Sequence, residues 1–303
     1  MTAVVAARAG GAAAGVVLDR LVGEPAAPIH PVGLFGRLME KVEHQIYADG
    51  RPAGATFTAG GVALGVAAGL ALRSTAVAVG LSVAGRELGR TARLVEADLE
   101  RGDLDAARDR LPNLVGRDVA GLGPDEVAAA VVESVAENTV DAVVAPVCWG
   151  LVAGAPGVLA HRAVNTLDAM VGHRSDRYER FGWASARLDD LANWVPARAT
   201  ALLVAAIRPR AARQVLAAVR RDAPAHPSPN AGVAEAAFAG ALDVQLGGPL
   251  SYGGRSEDRP VLGDGRRPTA MDIGRAVRLS EGVTAACVGT LLGIALLSRR
   301  RAR

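Results

Sequence analysis

The run from Val143 to Leu159 carries no charged side chain, and both of its flanks are crowded with carboxylates, amides and arginines. Glu133-Ser-Val-Ala-Glu137-Asn138-Thr139-Val-Asp141 precedes it. Asn165-Thr-Leu-Asp168, Arg174-Ser-Asp176-Arg177-Tyr178, Trp183 and Arg187-Leu-Asp189-Asp190-Leu-Ala-Asn193-Trp194 follow it. Packing alone does not ask for such groups at these positions. A binding site for a large, multiply charged substrate does.

A membrane-spanning helix needs about 20 apolar residues, and several stretches approach that. Ala3 to Leu18 is short and rich in small residues, and it reads as an uncleaved anchor or interfacial helix rather than a signal peptide. Phe57 to Gly85 carries Arg73-Ser74-Thr75 in its middle, so it is either one tilted span or a hairpin turning at Arg73. Val140 to Ala160 is long enough but includes Asp141, Pro146 and Pro156. Gly282 to Ser298 is the cleanest, stopped by Arg299-Arg300-Arg301 and Arg303. That basic end argues for a cytoplasmic C-terminus by the positive-inside rule. Ala197 to Ile207, with Arg198 inside it, is a weaker fifth stretch. Glycines at Gly60, Gly61, Gly65, Gly69, Gly150 and Gly154 would let helix backbones approach closely.

Composition narrows the class further. Half the chain is hydrophobic and the mean hydropathy is +0.22, but much of this is alanine, which also suits a soluble helical protein. The net charge is +3, and Lys41 is the only lysine; the arginines are spread along the chain rather than gathered in a stripe, which excludes a nucleic-acid surface. Cys148 and Cys287 lie in apolar runs, so they read as small buried hydrophobes rather than zinc ligands or a disulfide framework. No phosphate-binding Gly-x-x-x-x-Gly-Lys-Ser/Thr loop is present, and no nucleophile-elbow or zinc-protease motif.

Between the apolar stretches, Arg86 to Asn113 has helical spacing at Leu88, Ala92, Val95 and Leu99 and ends at Pro112. Pro124 to Val140 is a second polar helix and Pro209 to Ala223 an amphipathic, arginine-bearing one. His226 to Gly265 is rich in Gly and Pro and reads as loops with short helical pieces. Strand signals are scarce. The expected fold is therefore all-α: a polytopic membrane helical protein, one domain over 1–303, with a loop-rich region at about 224–268 and an active site formed by polar helices and loops.

Glu133, Glu137 and Asp141 are spaced i, i+4, i+8, which stacks three like charges along one helix face. A solvated face tolerates that arrangement, and a divalent cation would relieve it. Mg²⁺ takes one or two carboxylates plus substrate phosphates, so Glu137 and Asp141 are candidate metal ligands. Asn165 with Asp168, Asp189 with Asn193, and Arg187 with Asp190 each share a helix face. Any one such pair is an ordinary surface contact, and the argument for a site rests on their density. In His226-Pro-Ser228-Pro-Asn230-Ala-Gly232 the prolines forbid a helix until after Pro229, and Ser228 or Asn230 is placed to cap the one that follows. Gly247-Gly248-Pro249-Leu-Ser-Tyr252-Gly253-Gly254-Arg255 offers close backbone approach and a charge. His30, beside Pro31, is either a ligand or a turn histidine.

An ordered series of these pieces resembles the adenosylcobinamide-phosphate synthase family of cobalamin biosynthesis, an integral membrane family, over nearly the whole chain. In order they are Gly23-Glu24-Pro25 with His30-Pro31, Val115-Gly116-Arg117-Asp118, Glu133 to Thr139 with Asp141, and Arg162-Ala-Val-Asn-Thr-Leu-Asp168 with Met170-Val-Gly172. Then come Arg177-Tyr178 with Phe181 to Asp190, Pro196-Ala-Arg198, His226 to Gly232 with Glu235-Ala236, and Tyr252-Gly-Gly254. Val140 and Ala142 beside Asp141, His173, and Val233-Ala234 depart from the family pattern, which bears on fine substrate contacts.

The resemblance implies an enzyme that joins the free propionate of adenosylcobyric acid to (R)-1-amino-2-propanol phosphate through an amide, with ATP and Mg²⁺. It implies a bacterial inner-membrane location with a cytoplasmic active site. Glu133, Glu137, Asp141, Asp189 and Asp190 become candidates for metal binding or for taking the amine proton. Arg117, Arg174, Arg177, Arg187 and Arg255 become candidates for phosphate and carboxylate recognition, and Asn138, Asn165, Asn193 and Asn230 for the corrin amides. His30, Asp168, Tyr178, His226, Ser228 and Tyr252 complete the expected substrate-binding set. Expected partners are the two substrates, membrane lipid, and later enzymes of the pathway or further copies of the chain. The rival classes are a non-catalytic membrane sensor, scaffold or transporter of related architecture, and a soluble alanine-rich enzyme.

Overall fold

The computed structural model describes residues 2–24, 30–116, 118–173, 175–252 and 255–301, with backbone alone at 249–252 and 255–258. Helices dominate, in the order α1 (Thr2–Val22), α2 (Pro31–Ile46), α3 (Arg51–Leu72), α4 (Thr75–Ser82), α5 (Gly85–Glu100), α6 (Leu104–Arg110), α7 (Pro124–Thr139), α8 (Ala145–Leu167), α9 (Trp183–Ile207), α10 (Ala212–Asp222), α11 (Ala231–Leu242) and α12 (Ala270–Arg300). The two strands β1 (Leu246–Tyr252) and β2 (Arg255–Leu262) lie between α11 and α12. Among the described residues four helical runs are long and apolar enough to cross a membrane: Thr2–Val22, Arg51–Leu72, Pro124–Gly172 and Ala270–Arg300. Three of the four main stretches expected from the sequence lie within these runs, and of Phe57 to Gly85 only the part up to Leu72 does. Ala197 to Ile207 belongs to α9, which is not among them.

The single domain expected over 1–303 is drawn as two contact units. The first comprises Met1–Ala84, Asp141–Asn193 and Cys287–Arg303. Here α3 lies against α8 with backbones nearly touching: a Cβ on Gly65 would stand 2.6 Å from the Leu159 carbonyl oxygen, and one on Gly69 would stand 2.6 Å from that of Ala155. Small residues at such crossings give dispersion contacts that larger ones would block. The Phe57–Gly85 stretch is not one tilted span: the chain turns at Arg73, as the second alternative had it, and α4 then packs on α1 and α8 rather than back along α3. Arg73 takes a left-handed conformation (φ 56°) at the end of α3, and the Ser74 hydroxyl accepts from Val77 N–H to start α4. Met39, Phe57, Leu167, Val171 and Phe181 form a core, with the Phe57 and Phe181 rings 5.2 Å apart.

The second unit comprises Gly85–Val140 and Trp194–Ala286. In α5 Leu88, Ala92 and Val95 are buried as their spacing predicts, but Asp98, not Leu99, is the fourth buried residue. Its carboxylate accepts from Arg101 and from Arg110 Nε (2.5 Å), joining α5 to α6 across the Gly102 turn. Almost every residue of α11 is buried. The loop-rich reading of His226 to Gly265 needs correction: β1 and β2 pair antiparallel from Gly248↔Arg259 to Tyr252↔Arg255. The glycines that suggested a loop are what admit the hairpin, because Gly247 and Gly248 adopt φ 74° and 98°, where a side chain is strained.

Candidate active site

Two π turns interrupt the long helical run, Val140–Val144 before α8 and Asp168–Gly172 after it. A π turn widens the helix and shifts the register of everything beyond it. Of the carboxylates expected at i, i+4, i+8, Asp141 falls inside the first of these turns, whereas Glu133 and Glu137 both lie on regular α7. Glu133 is buried, Glu137 is exposed, and Asp141 sits part-buried in the first π turn.

In the first unit Asp141 meets α8 and α9. Asn165 Nδ2 donates to Asp141 Oδ2 at 3.1 Å and lies 3.4 Å from Asp189 Oδ1, so two carboxylates converge on one amide. Arg162 Nη1 donates to Asn165 Oδ1 at 3.2 Å, which fixes which end of the amide faces the acids. On α9, Asn193 Nδ2 donates to Asp189 Oδ2 at 3.0 Å, the i, i+4 pair expected from the sequence. Asn193 Oδ1 lies 2.8 Å from His161 Nε2, which therefore carries the proton and donates. The result is one chain of donors, His161 to Asn193 to Asp189, with Asn165 serving both carboxylates. Burial pushes the Asp189 carboxyl up to about 6; the Asn193 and Asn165 amides oppose the rise and the Asp190 charge adds to it. Asp190 is also raised by burial, against the opposing charge of exposed Arg187.

A second polar cluster belongs to the second unit. Glu133 Oε1 accepts from Gly247 N–H at 2.8 Å. Ser134 Oγ donates to the Leu114 carbonyl at 2.7 Å, and Asn138 Nδ2 donates back to the Ser134 carbonyl at 2.9 Å. Ser228 Oγ accepts from the Asn230 and Ala231 N–H groups, so Ser228 caps α11. Asn230 Oδ1 instead accepts from Arg198 Nη1 at 2.9 Å. Buried His226 has Nε2 3.1 Å from Arg259 Nη1 and 3.8 Å from Glu235 Oε2. Glu133, Ser134, Glu137, Glu235 and Arg259 line a cavity of about 110 Å³.

The remaining expected residues are placed as follows. His30 Nδ1 accepts from Val32 N–H at 3.3 Å to start α2, and its Nε2 stands 3.3 Å from Glu24; burial, then the Arg162 charge, lowers its basicity. Asp168 lies in the second π turn, where a Cβ on Gly172 would collide with Oδ1. Arg177 Nη2 and the Tyr178 hydroxyl both donate to Glu43 Oε1, at 2.9 and 3.0 Å, and the guanidinium stands 4.0 Å from the centroid of the Tyr47 ring. Arg117 and Arg174 lie outside the described residues, as do the side chains of Tyr252 and Arg255. Sequence reasoning passed over His161 and Glu43. The signal for His161 was its i, i+4 spacing to Asn165; Glu43 had none beyond its place on α2.

Mg²⁺ and ATP are the groups the resemblance implies, and the donor set bears on the metal. Among the described residues no three His, Cys, Asp or Glu side chains are gathered to hold an ion. Asp141 and Asp189, facing one amide nitrogen, are the hard-oxygen pair that suits an ion completing its shell with phosphate and water. Expectation had paired Asp141 with Glu137.

A helical membrane protein with paired carboxylates set among amides is the class these features define. The chain belongs to the CobD/CbiB protein family, whose model matches residues 12–280. It is 50% identical over 309 residues to "Cobalamin biosynthesis protein CobD" of Mycobacterium tuberculosis, covering 97% of each chain. It is 43% identical to the CobD of Geobacter metallireducens, covering 91% of this chain and 93% of that one. Against "Cobalamin biosynthesis protein CbiB" of Salmonella arizonae it is 40% identical, over 88% and 91%. No solved structure matches the chain.

Proposed function

We propose that the protein acts in cobalamin biosynthesis as an ATP-dependent amide ligase, joining adenosylcobyric acid to (R)-1-amino-2-propanol phosphate. Membership of the CobD/CbiB family supports the pathway. The observation that carries the reaction is the convergence of Asp141 and Asp189 on Asn165. A carboxylate does not accept an amine at neutral pH. Transfer of the γ-phosphoryl group of ATP to the propionate oxygen gives an acyl phosphate and ADP. The neutral amine then attacks the acyl carbon, phosphate leaves with the C–O bond electrons, and one amine proton passes to a base. Mg²⁺ would supply charge neutralisation at the phosphates, and Asp141 and Asp189 are the residues that would hold it. His161 and Asn193 orient Asp189. Asp190, next to Asp189 in sequence, is the residue we assign to take the amine proton, since burial raises its carboxyl and makes it a stronger base than a solvated one. The basic end of α12, Arg299 to Arg301, supports a cytoplasmic C-terminus by the positive-inside rule.

Purified protein given adenosylcobyric acid, the amino-alcohol phosphate and Mg-ATP should form the amide and one ADP per amide. Product without ATP, or no product at all, would overturn the proposal. Asp141→Asn should abolish turnover while leaving the folded protein intact.

A further inference from the structure

A larger cavity, of about 570 Å³, opens in the first unit between the start of α1, the α3–α4 turn and the break in α8. Its lining includes Arg8 and Arg73 and no acidic residue. Arg8 Nη1 donates to the Val152 carbonyl, which the kink at Gly154 (φ 67°, ψ −153°) and Pro156 takes out of regular helix pairing. Among the described residues neither arginine forms an ion pair. Two cations beside one hollow, with no counter-charge, ask for an anion.

Position says which anion. Helix α3 has 22 residues, about 33 Å at the α-helical rise, which is the thickness of a hydrocarbon core. Arg73 follows its last residue, so it stands at the boundary between acyl chains and headgroups. Two exposed apolar side chains, Val4 and Leu70, line the same opening. A cationic floor with an apolar rim fits an amphiphile with an anionic head. The left-handed backbone of Arg73 points the same way. Glycine would occupy φ 56° without strain, yet the position carries a guanidinium.

We propose that this cavity binds the headgroup phosphate of an anionic phospholipid, held by Arg8 and Arg73, with Val4 and Leu70 against its acyl chains. The site is independent of the ligase chemistry.

The test uses the full chain, stripped of lipid in neutral detergent, with its thermal midpoint followed as phosphatidylglycerol, phosphatidylcholine or inorganic phosphate is added. Phosphatidylglycerol should raise the midpoint and phosphatidylcholine should not. Arg73→Gly removes the charge and relieves the backbone, so it should fold. It should weaken the phosphatidylglycerol response about five-fold, the effect of one basic residue near an anionic surface. Arg73→Lys should restore most of it. Equal responses to the two lipids, or a wild-type response in Arg73→Gly, would overturn the proposal. A shift from millimolar phosphate equal to that from phosphatidylglycerol would assign the hollow to free phosphate and overturn the lipid.

Discussion

Asp189 sets stability against function in a way that one substitution exposes. Its carboxyl is raised from 3.8 to about 6, chiefly by burial. Between those values the folded protein binds a proton that the unfolded chain releases, so stability is gained as pH falls through 6 and lost as pH rises through it. At 1.36 kcal/mol per pK unit, ionising Asp189 costs the fold about 3 kcal/mol at pH 8, and roughly half of that is recovered by pH 5. Asp189→Asn removes the titration. It also turns an amide N–H toward Asn165 or Asn193, which costs about 1 to 2 kcal/mol at either pH. The variant should therefore exceed the wild type at pH 8 and lose that advantage by pH 5. Thermal unfolding in detergent at the two pH values would show a difference of differences of about 3 °C. The same variant should have lost amide-forming turnover at pH 8, where it is folded. Parallel pH responses in wild type and variant would refute the argument, because Asp189 would then be no more strained than a solvated carboxylate.

Two further substitutions probe the packing. Gly65→Ala places a methyl 2.6 Å from the Leu159 carbonyl oxygen, so α3 and α8 must separate; a loss of about 1 to 3 kcal/mol is expected, visible as a lower thermal midpoint. Asp98→Asn weakens the acceptor shared by Arg101 and Arg110. Both arginines are substantially exposed, so the loss should stay near 1 kcal/mol and shrink in high salt, as unfolding at low and molar salt would show.

The spans were legible because length and apolarity are one-dimensional properties. Gly282 to Ser298 and Val140 to Ala160 needed no knowledge of neighbours to be marked, and the residues around the second carried the family pattern. The β1–β2 hairpin was hidden because Gly247 and Gly248 look like a loop until their positive φ angles are known. The π turns were hidden for a related reason. Helical spacing assumes a constant register, and the wide turn at Val140–Val144 holds Asp141 while Glu133 and Glu137 stay on regular α7. What survived was local: Asp189 with Asn193, and Ser228 at a helix start.

The inside of such a protein is not found by following its large apolar side chains. On α12 Leu292, Leu296 and Leu297 are exposed, while Ser280 and Thr284 are buried. On α3 Leu70 is exposed, while Gly61, Gly65 and Gly69 are buried. Lipid solvates leucine as well as a core does, so burial there is decided by what lipid cannot solvate and by how closely backbones can approach. Glu43 is inside because Arg177 and Tyr178 hold it. His161 is inside because Asn193 holds it. In helices of this kind a polar residue one turn from another polar residue is therefore a better sign of the interior than a stripe of leucines. By that criterion His161 and Asn165 on α8, facing Asp189 and Asn193 on α9, mark the inward side of both helices.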